Sequence, residues 1–318
     1  MKIGYYTNNF DLPSSYLHKE CFFESSLDIE KFNEQNIDRY DWIFVMSYEE
    51  DLKIIQKLSK TKHRIKFALI DPRLPINNDI VKKIDLIILD SLEMEDFYIK
   101  YHIPIFKYVA YPNIKIQGKK NLNQKVINLG YHGNLAHLNE MSKFIINALE
   151  RLGNEFQINL NLLYNFENKK KFKKKIKNIK INHVQWSISN FKSFLENCDL
   201  GIVPNLKINF LNKLRENNNL INYSLKFKLS SGPGRIMPFA INSIPVVCDM
   251  YPSSIALLDN HENGFLCYSE NAWYSSIKKL SESIDLRNKI GRNLNEKLFP
   301  KYSIINQNNA LNKFIKKI

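Results

Sequence analysis

Residues 226–249 read KFKLSSGPGRIMPFAINSIPVVCD. Paired serines, two glycines and two prolines, set among three cations, stand ahead of an apolar run that ends in IPVVCD. The chain holds ten glycines in 318 residues, so the pair at Gly232 and Gly234 marks a demanding turn. The segment reads as a loop feeding a helix. Ser230 or Ser231 would cap that helix, and Pro233 or Pro238 is tolerable only within its first turn. A glycine-bearing helix N-terminus presents unpaired N–H groups and a positive dipole end, which suits phosphate. Lys226, Lys228 and Arg235 bring cations to the same point, so the stretch reads as an anion site ahead of a buried strand. The alternative is a glycine-rich loop carrying surface lysines.

Working outward, short apolar runs alternate with helical periods along the whole chain. Before the opening stretch come IGYYT at the N-terminus, DWIFVMS (41–47), RIKFALID (64–71), VKKIDLIILDS (81–91) and IFKYVAYPN (105–113) as strands. EEDLKIIQKLSK (49–60) has helical spacing, and NNFDLPSSYLHKE (8–20) reads as a loop. A polar segment at 114–124 reads as a linker, after which VINLGYHGN (126–134) begins a second series. Its strands are INLNLLY (158–164), INHVQWS (181–187), LGIVPN (200–205), IPVVCD (244–249) and GFLCYS (264–269). The helices EMSKFIINALERLG (140–153), NFKSFLENCD (190–199) and NAWYSSIKKLSESI (271–284) intervene, and NQNNALNKFIKKI (306–318) forms a last helix. Such alternation predicts α/β architecture: two Rossmann-like, doubly wound domains with parallel sheets. The expected division is 1–120, 121–303 and a C-terminal helix, 304–318, that returns to the first domain.

The formal net charge of +14 invites nucleic acid, an anionic membrane surface or phosphorylated small molecules as partners. Richness in Lys, Asn and Ile together accounts for part of that charge as compositional drift. KKKFKKKIKNIK (169–180) carries eight lysines and no acid, yet Phe172 is its one aromatic, so it reads as a solvated helix and loop. No nucleic-acid partner is expected; attraction to an anionic membrane surface is the better functional reading of the charge. Four scattered cysteines without a CxxC pair or a nearby His predict reduced thiols and no metal site. With no apolar run of roughly 18 residues and no signal-peptide pattern, a cytoplasmic protein is expected, associated with the membrane's inner face if at all.

GYHGN (130–134) ends the first strand of the second series. Gly130 and Gly133 allow a sharp turn, but this is not GxGxxG and a standard dinucleotide fingerprint is rejected. From here the second half resembles the nucleotide-sugar glycosyltransferases of the GT-B fold, the group that includes glycogen and sucrose synthases. GYHGN is similar to the glycine loop that opens their donor domain, and FLENCDLGIVPN (194–205) to their helix-and-strand ending in Pro. MPFAINSIPVVCD resembles their "EAMACGxPVVA" segment, HENGFLCYSENAWYSSIKKL (261–280) their "NGxL" loop, and DLRNKIGRN (285–293) the following helix. The resemblance implies a metal-independent, cofactor-free transferase with two Rossmann-like domains around a cleft. A nucleotide-diphosphate sugar would sit on the second domain and a glycan or lipid-linked acceptor on the first.

Two departures matter. The family's paired glutamates fall on Ser230 and Pro238, and its Arg and Lys after the glycine loop fall on Asn134 and Asn139. On this resemblance Lys226, Lys228 and Arg235 take over the diphosphate, with amides near Gly133 and Ser231–Gly232. His132 and Asn134 would border the donor, and Trp186, Ser187 and Ile188 would meet its base. A general base would come from Asp11 or His18, with Glu20 nearby. Alternatives are a sugar-nucleotide epimerase of the same fold and a binding protein for polyanions or nucleic acid.

Overall fold

A computed structural model describes residues 1–24, 27–60, 65–72, 76–117, 126–139, 141–167, 171–205 and 232–318. The chain divides into two compact units, Met1–Pro112 with Lys301–Ile318, and Asn113–Pro300. Each is built on a six-stranded parallel sheet with helices on its faces.

In the first unit the strands are β1 (Ile3–Tyr6), β2 (Ile29–Lys31), β3 (Trp42–Met46), β4 (Lys66–Ile70), β5 (Leu86–Leu89) and β6 (Ile105–Lys107), in the order β2-β1-β3-β4-β5-β6. Every residue of β3 (WIFVM) and of β5 (LIIL) is buried. Strands covered on both faces read as unbroken apolar runs, which is why they were visible in the sequence. β2 was not, being three residues, IEK, at the sheet's edge. Residues 8–20 correct the expectation of a loop: Pro13–Phe23 is a helix, with Pro at its first positions. Proline there is a start signal, because its missing N–H would have no partner in a first turn anyway.

The final helix, Ile304–Ile315, belongs to this unit through buried amides. Asn308 accepts from the Tyr108 hydroxyl at 2.8 Å and donates to the Cys21 carbonyl at 2.8 Å. Gln307 accepts from the Val109 N–H at 2.7 Å and donates back to the Val109 carbonyl at 3.1 Å, as a neighbouring strand would.

The second unit holds β7 (Val126–His132), β8 (Gln157–Tyr164), β9 (Ile179–Gln185), β10 (Leu200–Val203), β11 (Val246–Asp249) and β12 (Phe265–Cys267), in the order β12-β11-β10-β7-β8-β9. Its core lies on the face formed by Ile127, Leu129, Ile158, Leu160 and Leu162. Two helices cover that face, Lys143–Leu152 and Glu270–Glu282, with Ile145, Leu149, Trp273 and Ile277 turned inward at helical spacing.

The lysine-rich stretch departs from expectation. Its described part shows no helix: residues 171–176 have no regular structure before β9 begins. Phe172 and Ile176, each 4% exposed, anchor this strap in the core cluster while the intervening lysines face outward or, like Lys174, lie half-buried. All four cysteines are buried and none is in a disulfide. Among the described residues no helix is long and apolar enough to cross a membrane.

Candidate functional site

In both sheets the strand order reverses beside the first strand of the unit. The chain runs β7-β8-β9 in one direction and then β10-β11-β12 in the other, so the connections diverge at the carboxyl ends of β7 and β10. Open parallel sheets leave their ligand crevice at this kind of reversal. The loop Gly133–Asn134 follows β7, and Pro204–Asn205 follows β10.

Arg235 reaches this point from the turn Pro233–Arg235. Its guanidinium donates to the Pro204 carbonyl at 3.0 Å and to Asn205 Oδ1 at 2.5 Å. Asn205 is itself fixed, its N–H donating to Asp249 Oδ2 at 2.5 Å, and Asp249 Oδ1 accepts from the Trp273 indole at 3.2 Å. The chain Trp273–Asp249–Asn205–Arg235 therefore ties the cation to the sheet's carboxyl edge. Arg235 is half-buried, yet among the described residues it makes no ion pair; both oxygens it binds are uncharged. A partly desolvated cation without a carboxylate is costly unless an anion completes it.

His132 ends β7 and holds the backbone of the same residue. Its Nε2 lies 2.9 Å from the Arg235 carbonyl, which can only accept, so Nε2 carries the hydrogen. The ring packs between Phe191 and Phe239, with centroids at 4.9 and 5.2 Å. Burial pushes its pKa down to about 3, and the Arg235 charge acts in the same direction. His132 is thus a neutral strut under Arg235.

Gly133 adopts φ +146°, and a Cβ there would lie 2.9 Å from the Tyr131 hydroxyl and 3.1 Å from Arg235 Cδ. Its N–H is spent on the Leu163 carbonyl at 3.1 Å, so Gly133 serves the site by conformation and clearance while its amide continues the sheet ladder. Asn134 is exposed, and its carbonyl accepts from the Tyr131 hydroxyl at 2.8 Å.

The remaining expected donor residues fall into two groups. Trp186, Ser187 and Ile188 follow the outermost strand, β9, on the same carboxyl edge. Ser187 caps the helix Ile188–Glu196 by accepting from the Asn190 N–H at 3.1 Å, and Ile188 is 54% exposed. Lys226, Lys228, Ser230 and Ser231 lie outside the described residues. Gly232 takes the capping position expected of a serine, without a side-chain bond, and Gly234 lies within the short turn before the five-residue helix Met237–Ile241.

In the first unit the reversal lies between β1 and β3, and it collects two carboxylates that sequence reasoning missed. Asp51 is fully buried and accepts from the Thr7 hydroxyl and the Asn8 N–H, both at 2.7 Å; burial raises its pKa. Asp71 follows β4 at φ +51° and is 3% exposed. Ser14 Oγ donates to Asp71 Oδ2 at 2.5 Å and lies 3.4 Å from His18 Nδ1. His18, placed on the helix Pro13–Phe23, is 4% exposed. Its Nδ1 lies 2.9 Å from the Ser14 carbonyl, which can only accept, and so carries a hydrogen. Asp11 is exposed just before this helix, and Glu20 lies on it, also exposed. Among the described residues no group of three or more His, Cys, Asp or Glu could hold a metal ion.

Two six-stranded parallel α/β units of this kind define the GT-B fold, and solved structures share it across most or all of the chain. A crystal structure of Anabaena Alr3699/HepE in complex with UDP and glucose matches with a TM-score of 0.63 at 11% identity, covering 100% of both chains. A glycosyltransferase from Rickettsia africae matches with a TM-score of 0.58 at 12% identity over 94% of this chain and 87% of its own. Sucrose-phosphate synthase from Thermosynechococcus elongatus matches with a TM-score of 0.57 at 11% identity over 88% of this chain and 74% of its own. The likeness is one of fold. The sequence matches no family model and no curated protein.

Proposed function

We propose that the protein is a metal-independent glycosyltransferase that moves a sugar from a nucleotide-diphosphate sugar to a glycan or lipid-linked acceptor in surface polysaccharide or glycan synthesis. The observation that carries this reading is Arg235, half-buried at the carboxyl edge of the second sheet with neutral partners only among the described residues. A diphosphate supplies the missing charge. The fold is consistent with this, since the Anabaena protein of similar architecture binds UDP and glucose.

In this mechanism the bond from the anomeric carbon to the diphosphate oxygen breaks, and its electron pair stays on the diphosphate. Arg235, held by His132 and Asn205, meets that developing charge without having to reorganise. Lys226, Lys228, Ser230, Ser231 and Gly232, next to Arg235 in sequence, are proposed to complete the phosphate loop. Asn134 borders the donor, and Trp186, Ser187 and Ile188 receive the base. The acceptor hydroxyl attacks the anomeric carbon, and its proton passes to Asp11 or to His18, which Ser14 and Asp71 position. The basic surface holds the enzyme near lipid-linked acceptors at a membrane's inner face.

A thermal-shift panel of nucleotides and nucleotide sugars tests the reading. At least one nucleoside diphosphate should raise the melting temperature through mass action. No response to any of them, together with tight and steeply salt-dependent binding of DNA or RNA, would sink it in favour of a polyanion-binding protein.

A further inference from the structure

Four asparagines stand on the face of the second sheet opposite its apolar core. Asn128 pairs in register with Asn159 across β7 and β8, and Asn161 with Asn182 across β8 and β9. Side chains alternate along a strand, so Ile127, Leu129, Ile158, Leu160 and Leu162 enter the core while these amides face the other way. Both faces of a doubly wound sheet are ordinarily apolar, which makes an amide floor a departure with a chemical consequence.

The amides are half-buried and oriented by one another. Asn159 Nδ2 donates to Asn128 Oδ1 at 3.0 Å, Asn128 Nδ2 to Asp199 at 3.2 Å, and Asn182 Nδ2 to Asn161 Oδ1 at 2.9 Å. These bonds leave Asn159 Oδ1, Asn161 Nδ2 and Asn182 Oδ1 without partners among the described residues, yet none of the three is sealed from solvent. Two acceptors and one donor group thus share one floor. Above it lies a cavity of about 470 Å³, walled by the helix Ile188–Glu196, which contributes Phe194 and the exposed Asn190. That volume falls within the range of small-ligand sites.

Among the described residues the lining contains no Lys, Arg, Asp or Glu, on a chain whose net charge is +14. Lys180, exposed and in register with Asn159, stands beside the floor, while the lining itself offers amides in place of charges. Free amide oxygens and a free amide N–H, fixed side by side, match a neutral ligand whose groups both donate and accept. Sugar hydroxyls do both. We propose that this groove binds a neutral oligosaccharide. The floor runs back from the Arg235 edge: Asn128 precedes His132 by four residues on β7, a rise of about 13 Å along the strand, while Asn190 stands next to the Ser187 cap. The inference concerns carbohydrate binding alone and stands whether or not a nucleotide sugar is the donor.

The test is saturation-transfer NMR on the full chain with maltotriose, cellotriose and chitotriose, with a heparin tetrasaccharide as the anionic arm. At least one neutral trisaccharide should show transfer that persists with saturating UDP and in Arg235→Ala. Asn161→Leu, which keeps the volume and removes the free amide, should weaken it by about tenfold or more. Asn190→Ala, at an exposed position whose amide bonds only the Gln185 carbonyl among the described residues, should weaken it measurably. The proposal is overturned if no neutral trisaccharide binds, if only the heparin fragment does, if UDP displaces the sugar, or if both variants bind as the parent does.

Discussion

Replacing His132 by Gln separates its strut role from any role as an acid or base. In the folded chain the ring is 7% exposed and its pKa falls to about 3 from 6.5. Between those values the unfolded chain takes up a proton that the folded chain refuses, so stability falls as pH falls, by about 1.4 kcal/mol per pH unit. Above the unfolded value of 6.5 the contribution is constant. Gln does not titrate, and its amide can still donate towards the Arg235 carbonyl. At pH 7 the variant should be less stable by about 1–3 kcal/mol, because it loses the ring packed against Phe191 and Phe239. At pH 5, about 1.5 units into the window, the parent has lost about 2 kcal/mol that the variant has not, so the gap narrows by that amount. Urea unfolding of both proteins at the two pH values reads the difference, with the carboxylates common to both cancelling. A gap that stays the same at pH 7 and pH 5 would show that His132 titrates normally in the folded chain and is not locked beneath Arg235.

Further outcomes follow from the same contacts. Gly133→Ala places a Cβ 2.9 Å from the Tyr131 hydroxyl at φ +146°, and should cost about 1–3 kcal/mol in urea unfolding while weakening nucleoside diphosphate binding; an unchanged midpoint contradicts the conformational argument. Asn308→Leu strips the Tyr108 hydroxyl and the Cys21 carbonyl of their partner, and should cost about 1–3 kcal/mol; unaltered stability would mean the final helix is not held by these amides. Asp71→Ala releases Ser14 and, through it, His18. It should lower turnover at least about tenfold with nucleotide affinity unchanged; a fall in affinity instead would place Asp71 in folding or donor binding.

What the sequence disclosed follows physical lines. Strands buried on both faces, such as WIFVM and VVCD, leave unbroken apolar runs, so the alternation of two α/β units was legible. The edge strand IEK and the helix Pro13–Phe23 were not, since neither shows a strong apolar period. At the site, Arg235 could be picked out because glycines and cations cluster around it. Its supports could not, because Asn205 and Asp249 meet it only through the sheet's fold, 30 residues away and two bonds removed. Asp71 and Asp249 did carry a signal, each being a carboxylate that closes an apolar run, at the end of the strand where parallel sheets bind ligands. The asparagine floor was legible too, as Asn at alternate positions in INLNLLY, but that signal is separated from its partners in β7 and β9 by whole helices and straps.

Titration calorimetry of a panel of nucleoside diphosphates into the parent protein and into Arg235→Ala tests the central claim most directly. At least one diphosphate should bind the parent with 1:1 stoichiometry, and loss of the guanidinium should weaken that binding by about 10- to 100-fold, as for a charge-assisted phosphate contact. Equal affinity in the two proteins would contradict the placement of the donor diphosphate at Arg235.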